Sequence, residues 1–146
     1  MAGYSGTPLP QKLGIKPAAR VGLLGAPQGF KKTLGELPPA VKLSDATRGS
    51  GALDVIVAFV QSRRELERAV QKLKRRLEPA GGLWLTWPKK TAAIATELTE
   101  KTVREVGLAS GLVDNKVCAI DDTWSGLRFV VRVQDRPKAA RARPLV

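Results

Sequence analysis

The hydrophobic pattern of this chain is dominated by three apolar runs, at residues 19–25, 54–60 and 82–88, with segments of helical periodicity between them. Near-continuous apolar runs of this length are typical of strands that are buried on both faces of a sheet. The third run, GLWLTWP, ends on a proline that is followed by two lysines. We therefore predict a mostly parallel sheet between two layers of helices, with residues 82–90 as a central strand.

The clearest predicted helix follows the second apolar run. Ser62, with Glu65 three residues later, forms a capping box. Apolar residues then recur at helical spacing, namely Leu66, Val70, Leu73 and Leu77. Pro79, Gly81 and Gly82 are expected to end this helix.

The last third of the chain predicts one more helix and a hairpin. Thr99 is a good N-cap and Gly111 a good helix stop, while residues 114–116 are expected to form a turn. Residues 116–120 and 127–133 are the last two predicted strands. Because a short turn joins them, they must be antiparallel, so one strand runs against the rest of the sheet. The prediction is a single-domain, three-layer α/β fold, closed by a C-terminal antiparallel hairpin.

Length and composition favour one soluble domain. A chain of 146 residues with 43% hydrophobic content can bury one core. We expect an N-terminal arm at residues 1–18, an α/β domain at residues 19–135 and a basic disordered tail at residues 136–146. Apolar runs long enough for a membrane span are absent from the sequence, and its start lacks the apolar middle of a signal peptide. A cytoplasmic location without membrane contact is the expectation.

The chain has no histidine, which removes the usual general base and the usual zinc ligand. We predict no metal site, and Cys118, the single cysteine, is interpreted as a buried packing residue. The net charge is +12, and four of the basic residues lie in the tail. Such a charge favours an anionic partner, either a small molecule or non-specifically bound nucleic acid, whereas a protein partner cannot be named.

A candidate site follows from the predicted topology, because ligands of open parallel sheets bind at the carboxyl ends of the strands. Loops at those ends, with the hairpin turn beside them, offer glycine backbone, aromatic rings, cations and a carboxylate pair. The candidate ligand-binding residues are Gly25, Gly29, Trp87, Lys89, Lys90, Asp121, Asp122, Trp124 and Ser125. A catalytic residue is not assigned.

Each feature of the candidate site also has a structural interpretation. Trp87 and Trp124 are typical packing residues, Lys89 and Lys90 are typical of a solvated pair, and the two aspartates are common turn formers. The basic residues of the helix that begins at Ser62 are likewise typical of a solvated face. Glutamates lie among them, and no aromatic residue is placed between them for base stacking. These basic residues are Arg63, Arg64, Arg68, Lys72, Lys74, Arg75 and Arg76.

Three long segments carry a family resemblance. YSGTPLPQKLGIK, GGLWLTWPKK and VREVGLASGLVDNKVCAIDDTWSGLRFVVR resemble the bacterial DUF3052 family over nearly the whole chain to residue 135. This resemblance brings no catalytic assignment. The order of predicted elements is similar to the later half of the Rossmann-like methyltransferase fold, which implies a reduced, methyltransferase-like architecture.

The methyltransferase likeness implies a cofactor site that this sequence matches only in part. That family binds S-adenosylmethionine with an acidic, glycine-rich loop after the first strand and an acidic residue at the end of the second. Here the loop GLLGAPQGF has no acid, and Asp45 is the one candidate for the ribose partner. We favour a non-catalytic Rossmann-like module without a cofactor that binds an anionic ligand, a nucleic acid or a protein, because the usual cofactor loop and histidine are missing. The alternative is a reduced S-adenosylmethionine-dependent methyltransferase.

Overall fold

The computed structural model describes residues 6–137, which form six strands and four α-helices. The strands are β1 Arg20–Leu24, β2 Lys42–Asp45, β3 Leu53–Phe59, β4 Leu77–Pro88, β5 Leu112–Ala119 and β6 Trp124–Val131. The helices are α1 Leu9–Leu13, α2 Phe30–Leu34, α3 Arg63–Leu73 and α4 Glu100–Ala109. The spatial strand order is β2-β1-β3-β4-β6-β5.

The sheet is parallel except for one strand, as predicted from the short turn between the last two strands. Strands β2, β1, β3 and β4 pair in parallel, whereas β6 is antiparallel to both β4 and β5. Strand β5 therefore points the same way as the first four. The chain steps outward from β1 to β2 and then returns to β3, so the sheet has a topological switch point beside β1.

Alternating residues of the central strands build two cores on opposite faces of the sheet. Ile56 and Ala58 of β3 face the core that α3 and α4 cover, whereas Val55 and Val57 face the core that α1 and α2 cover. This alternation follows from the two-residue period of a strand. The layers are therefore helix, sheet and helix, which confirms the three-layer α/β prediction.

Helix α3 begins as its sequence predicts but ends earlier. The Ser62 hydroxyl accepts the backbone N–H of Glu65 at 3.1 Å, and the Glu65 carboxylate reaches back to accept the N–H of Gln61, the residue before the N-cap, at 2.7 Å. The helix ends at Leu73, and a single 3₁₀ turn leads into β4. Leu77 is thus the first residue of β4, and its predicted place in the helix is wrong.

Strand β5 is longer than the sequence indicates. Residues 114–116 belong to this strand, with a register shift between Asp114 and Lys116 opposite β6. The prediction of a turn at residues 114–116 is wrong, because a β-bulge accommodates these polar residues without ending the pairing. Helix α4, by contrast, begins after Thr99, whose hydroxyl accepts the N–H of Thr102 at 3.2 Å.

The N-terminal segment packs into the body more deeply than an arm would. Leu13 and Ile15 are 0% and 5% exposed, and the indole N–H of Trp84 donates to the Leu13 carbonyl at 3.1 Å. At the other end, the guanidinium of Arg136 donates to the Val131 carbonyl at 3.3 Å. Arg136 thus contacts the body, and the rest of the predicted tail from residue 138 lies outside the described residues.

The connection between β2 and β3 is a short loop without a helix. Arg76, in the 3₁₀ turn after α3, holds this loop by donating to the carbonyls of Ala46, Arg48 and Gly51 at 2.7–2.9 Å. A second full strand–helix unit is therefore missing between β1 and β3. This agrees with the small number of residues that separate the first two apolar runs.

Candidate functional site

The carboxyl edge of the sheet brings together the ends of β1 to β5 and the start of β6. At this edge, the backbone N–H of Lys89 donates a hydrogen bond of 2.8 Å to the carbonyl of Thr123. The β5–β6 turn therefore lies against the end of β4. Open parallel sheets place their binding loops at this edge.

Trp87 and Trp124 share this edge but lie on opposite faces of the sheet. Trp87 packs in the core under α3 and α4, and Trp124 packs in the core under α1 and α2; they are 6% and 4% exposed. The ring of Trp124 meets Phe59 edge-on, with 5.1 Å between centroids. The prediction that both indoles wall one open site is therefore wrong, and both act as packing residues.

Asp121 builds the β5–β6 turn. Its Oδ1 accepts the backbone N–H groups of Thr123 and Trp124, each at 2.8 Å. Asp122 beside it is exposed, and Ser125 is half-buried in β6, opposite Trp87. The turn-forming interpretation therefore holds for Asp121, whose carboxylate already has two backbone partners.

The other candidate residues divide between two clefts. Lys89 and Lys90 line one of about 350 Å³ with the segment at residues 92–99 that leads to α4. Gly25 lines another of about 460 Å³, here called the β1–β2 cleft, with Leu23, Ala26, Lys31, Leu43, Ser44 and Asp45. The two clefts have no lining residue in common. Anion binding at the two lysines stays a prediction, but they do not share a cleft with Gly25.

Gly25 shapes the β1–β2 cleft through its backbone. Its φ is 66°, and an added Cβ would lie 2.9 Å from the carbonyl oxygen of Phe59. A side chain is therefore excluded where β1 and β3 approach each other, and backbone lines the cleft at this point. Gly29, with φ of 87°, turns the chain into α2, and an added Cβ there would meet nothing within 4 Å.

Asp45 is the titratable acid of the β1–β2 cleft. It is the last residue of β2 and pairs with Leu23 of β1. Its Oδ1 accepts the Thr47 hydroxyl at 2.6 Å and the Thr47 N–H at 2.8 Å. The Thr47 hydroxyl is the main cause of a lowered Asp45 pKa, and the charges of Arg48 and Lys72 lower it further. Asp45 is therefore a carboxylate at neutral pH.

Lys31, Leu43 and Ser44 also line this cleft, although sequence reasoning did not identify them as site residues. Lys31 comes from the first turn of α2 and Ser44 from β2. The signal that was available is the Asp45-Ala46-Thr47 triplet, because an aspartate that accepts an N–H two residues later is a common turn. The triplet predicts where β2 ends, but only the pairing of β2 with β1 shows that Asp45 lies beside the loop after β1.

Residues 6–137 do not meet the requirements of a metal site or of a membrane-spanning helix. No group of three or more Cys, Asp or Glu side chains within that range is placed to hold a metal ion. The helices found there are all too short or too polar to cross a bilayer.

Several solved structures share this architecture. A ribosomal protein L11 methylase from Lactobacillus delbrueckii subsp. bulgaricus gives a TM-score of 0.61 over 85% of this chain and 75% of its own, at 14% identity. A SAM dependent methyltransferase from Aquifex aeolicus gives 0.58 over 84% and 87%, at 15% identity. An Aeropyrum pernix fibrillarin, in complex with natively bound S-adenosyl-L-methionine, gives 0.57 over 88% and 70%, at 15% identity.

This chain has the Rossmann-like methyltransferase fold. Its mostly parallel sheet of six strands with one antiparallel strand matches the predicted fold class, which is thereby confirmed. Neither a protein-family model nor a curated protein matches the sequence. At identities of 14–15% these similarities establish the fold, and activity has to be argued from the β1–β2 cleft.

Proposed function

We propose that the chain is a reduced methyltransferase-like protein that binds a nucleoside ligand of the S-adenosylmethionine type in the β1–β2 cleft. The observation that carries this proposal is the place of Asp45. It ends β2 beside the loop that follows β1, and it lies about 20 residues after the first glycine of that loop, the spacing at which nucleotide-binding folds place their ribose carboxylate. The alternative, a module that binds no cofactor, is less well supported because the structural neighbours include proteins that bind this ligand.

The chemistry of Asp45 fits a ribose diol. Its Oδ1 is occupied by Thr47, whereas Oδ2 has Arg48 Nε at 3.8 Å, beyond hydrogen-bond distance. The side chain is 51% exposed, so Oδ2 is accessible to hydroxyl donors. Thr47 also fixes the orientation of the carboxylate before a ligand arrives, which reduces the entropic cost of binding.

The rest of the cleft supplies groups for the other parts of such a ligand. Lys31 provides a cation that complements an amino-acid carboxylate, and the backbone at Gly25 allows close approach. The loop after β1 has no acid, which departs from the pattern implied by the methyltransferase likeness. When bound, S-adenosylmethionine supplies an activated methyl group. The residues of this chain hold and orient the ligand, and none of them is assigned to the transfer step.

The test is binding of S-adenosylmethionine and S-adenosylhomocysteine by calorimetry and thermal shift. A ligand at about a hundred times its dissociation constant should stabilise the protein by about 2.7 kcal/mol. Asp45→Asn should weaken binding at least tenfold, because an amide replaces one of the two acceptor oxygens and removes the charge. Asp122→Asn is the matched control, since it removes the same charge from an exposed residue outside the cleft.

Two results would overturn the proposal. The first is the absence of any shift with either ligand at millimolar concentration. The second is equal affinity of wild type and Asp45→Asn for a ligand that does bind, which would place that ligand elsewhere. Melting temperatures without ligand separate a loss of binding from a loss of stability.

A further inference from the structure

Four basic side chains form a row along α3. Arg64, Arg68, Lys72 and Arg75 recur every three or four residues, so they share one side of the helix and of the turn that follows it. At a helical rise of 1.5 Å per residue, the row is roughly 16 Å long. We call these four residues the basic row.

The basic row faces solvent. Its four members are exposed, whereas Leu66, Ala69, Val70 and Leu73 on the other side of α3 are buried against the sheet. The helix is thus amphipathic in the ordinary way, and the basic row runs along its polar side. Three row residues, Arg68, Lys72 and Arg75, line an open depression of about 390 Å³, and α3 contains no aromatic residue.

The glutamates of α3 do not neutralise the basic row. Glu67 pairs with Arg63 at 3.0 Å, and Glu65 accepts the N–H of Gln61 at 2.7 Å. Within residues 6–137, none of the four row residues makes a salt bridge of 4.0 Å or less. Glu67 lines the same depression as three of the row residues, but its charge is paired with Arg63, so the row keeps a net positive charge.

We propose that the basic row docks the sugar-phosphate backbone of a double-helical nucleic acid. Regularly spaced cations on an exposed face complement the phosphates of one strand, and a length of roughly 16 Å corresponds to about five nucleotides at 3.4 Å each. Single-stranded nucleic acid is bound by stacking its bases on aromatic side chains, and α3 provides none. Contacts to phosphate alone carry no sequence information, so binding is sequence-independent and falls steeply with salt.

The test uses the full chain without any cofactor, and labelled duplexes of about 20 base pairs, titrated at about 50 to 200 mM salt. DNA and RNA duplexes of the same sequence form separate arms. The test variant is Arg64→Gln, Arg68→Gln, Lys72→Gln and Arg75→Gln combined. The matched control combines Lys16→Gln, Lys32→Gln, Lys42→Gln and Lys101→Gln, four exposed lysines elsewhere, so that both variants fall from +12 to +8.

Loss of the basic row should weaken duplex binding at least tenfold at low salt, with a slope of log affinity against log salt that is about 3 to 4 units shallower. The control should keep most of the wild-type slope. Equal losses in both variants would overturn the proposal, because general charge attraction would then explain the binding. Tighter binding of the matching single strand would overturn it as well.

A smaller change guards against unfolding of the fourfold variant. Arg68→Glu compared with Lys101→Glu repeats the test with one reversal on each helix. The inference does not rest on the proposed nucleoside site; because the Asp45 charge attracts Lys72, Asp45→Asn should bind duplex at least as tightly as the wild type does. Equal duplex affinity of Arg68→Glu, Lys101→Glu and wild type would overturn the docking surface and leave the nucleoside proposal untouched.

Discussion

At the scale of single residues, Gly107 sets how closely α4 approaches the sheet. A Cβ added at this glycine would overlap the ring of Phe129, which is 0% exposed and held in the core. The overlap cannot be relieved by a flexible side chain, because an aromatic ring packed on all sides has no free rotamer. The small residue is therefore a packing requirement of the α4–β6 contact.

Gly107→Ala should lower the free energy of unfolding. Alanine gains up to about 1 kcal/mol of helix propensity over glycine, but overpacking a filled core costs about 1–3 kcal/mol. Gly51→Ala is the control, because an added Cβ there meets nothing within 4 Å and its φ lies outside the left-handed region. Urea unfolding of both variants checks this; a Gly107→Ala variant as stable as Gly51→Ala would contradict it.

Arg76 is the second residue whose role depends on tertiary contacts. The sequence groups it with the solvated basic residues of α3, yet its guanidinium donates three hydrogen bonds to carbonyls of the β2–β3 loop. Arg76→Ala should cost about 2 kcal/mol or more, since hydrogen bonds from a charged group are worth about 1.5–3 kcal/mol each. The neighbouring Arg75→Ala should change stability by less than about 0.5 kcal/mol. Thermal unfolding that moves both variants equally would refute this role.

At the scale of elements, the start of α3 is joined to the segment before α4. The Glu97 carboxylate accepts the backbone N–H of Arg63 at 3.1 Å, and the Thr96 hydroxyl donates to the Gln61 carbonyl at 2.6 Å. The N-terminus of α3 thus receives acceptors from its own Ser62 and Glu65 and from a second part of the chain. These hydrogen bonds hold residues 96–97, part of the segment that lines the cleft beside Lys89 and Lys90.

Glu97→Gln should reduce stability in a pH-dependent way. The Arg63 N–H lowers the pKa of Glu97 from its usual 4.5, so the stabilisation is present above that value and is lost as pH falls through the folded pKa. The difference between wild type and Glu97→Gln should therefore be largest at neutral pH and shrink below about pH 4.5. Glu105→Gln, an exposed residue of α4, is the control. A gap that stays constant with pH would contradict this mechanism.

Strand and helix identity could be predicted from this sequence, because apolar runs, caps and glycine stops act locally. The limits of two elements could not. Leu77 continues the helical spacing of α3 but pairs with Leu53 in the sheet, and Asp114 lies in a bulged strand despite its turn-like neighbours. In both places pairing with a distant strand outweighs local preference, which a single sequence does not record.

At the scale of the whole molecule, the edge that carries the candidate site could be predicted, but its side-chain arrangement could not. Trp124 pairs with Pro88, one residue after Trp87, and this offset puts the two indoles on opposite faces. A shift of one residue in register reverses every side chain of a strand, so convergence at an edge does not establish a shared cleft. Asp45 and Gly25 do share one, because parallel pairing places the ends of β1 and β2 side by side.

The two chain ends should differ sharply in what their removal does. Deletion of residues 138–146 removes alternating basic and small residues without apolar periodicity, and the melting temperature should remain almost unchanged. The shortened chain should keep Arg136, because its guanidinium donates a hydrogen bond to the Val131 carbonyl. A drop of more than a few degrees in thermal unfolding would show that the deleted residues contribute to packing.

Deletion of residues 1–15 should instead abolish cooperative unfolding. It removes Leu13, which is 0% exposed, and truncation of a buried leucine to alanine alone costs about 2–5 kcal/mol. It also removes the carbonyl partner of the Trp84 indole N–H, and an unsatisfied buried donor costs a further 1–3 kcal/mol or so. These losses approach the roughly 5–15 kcal/mol that stabilises a typical domain. Leu13→Ala, measured by urea unfolding beside Leu9→Ala at a more exposed position of α1, separates packing from chain length. If the shortened chain melted like the full one, the N-terminal segment would be an arm after all.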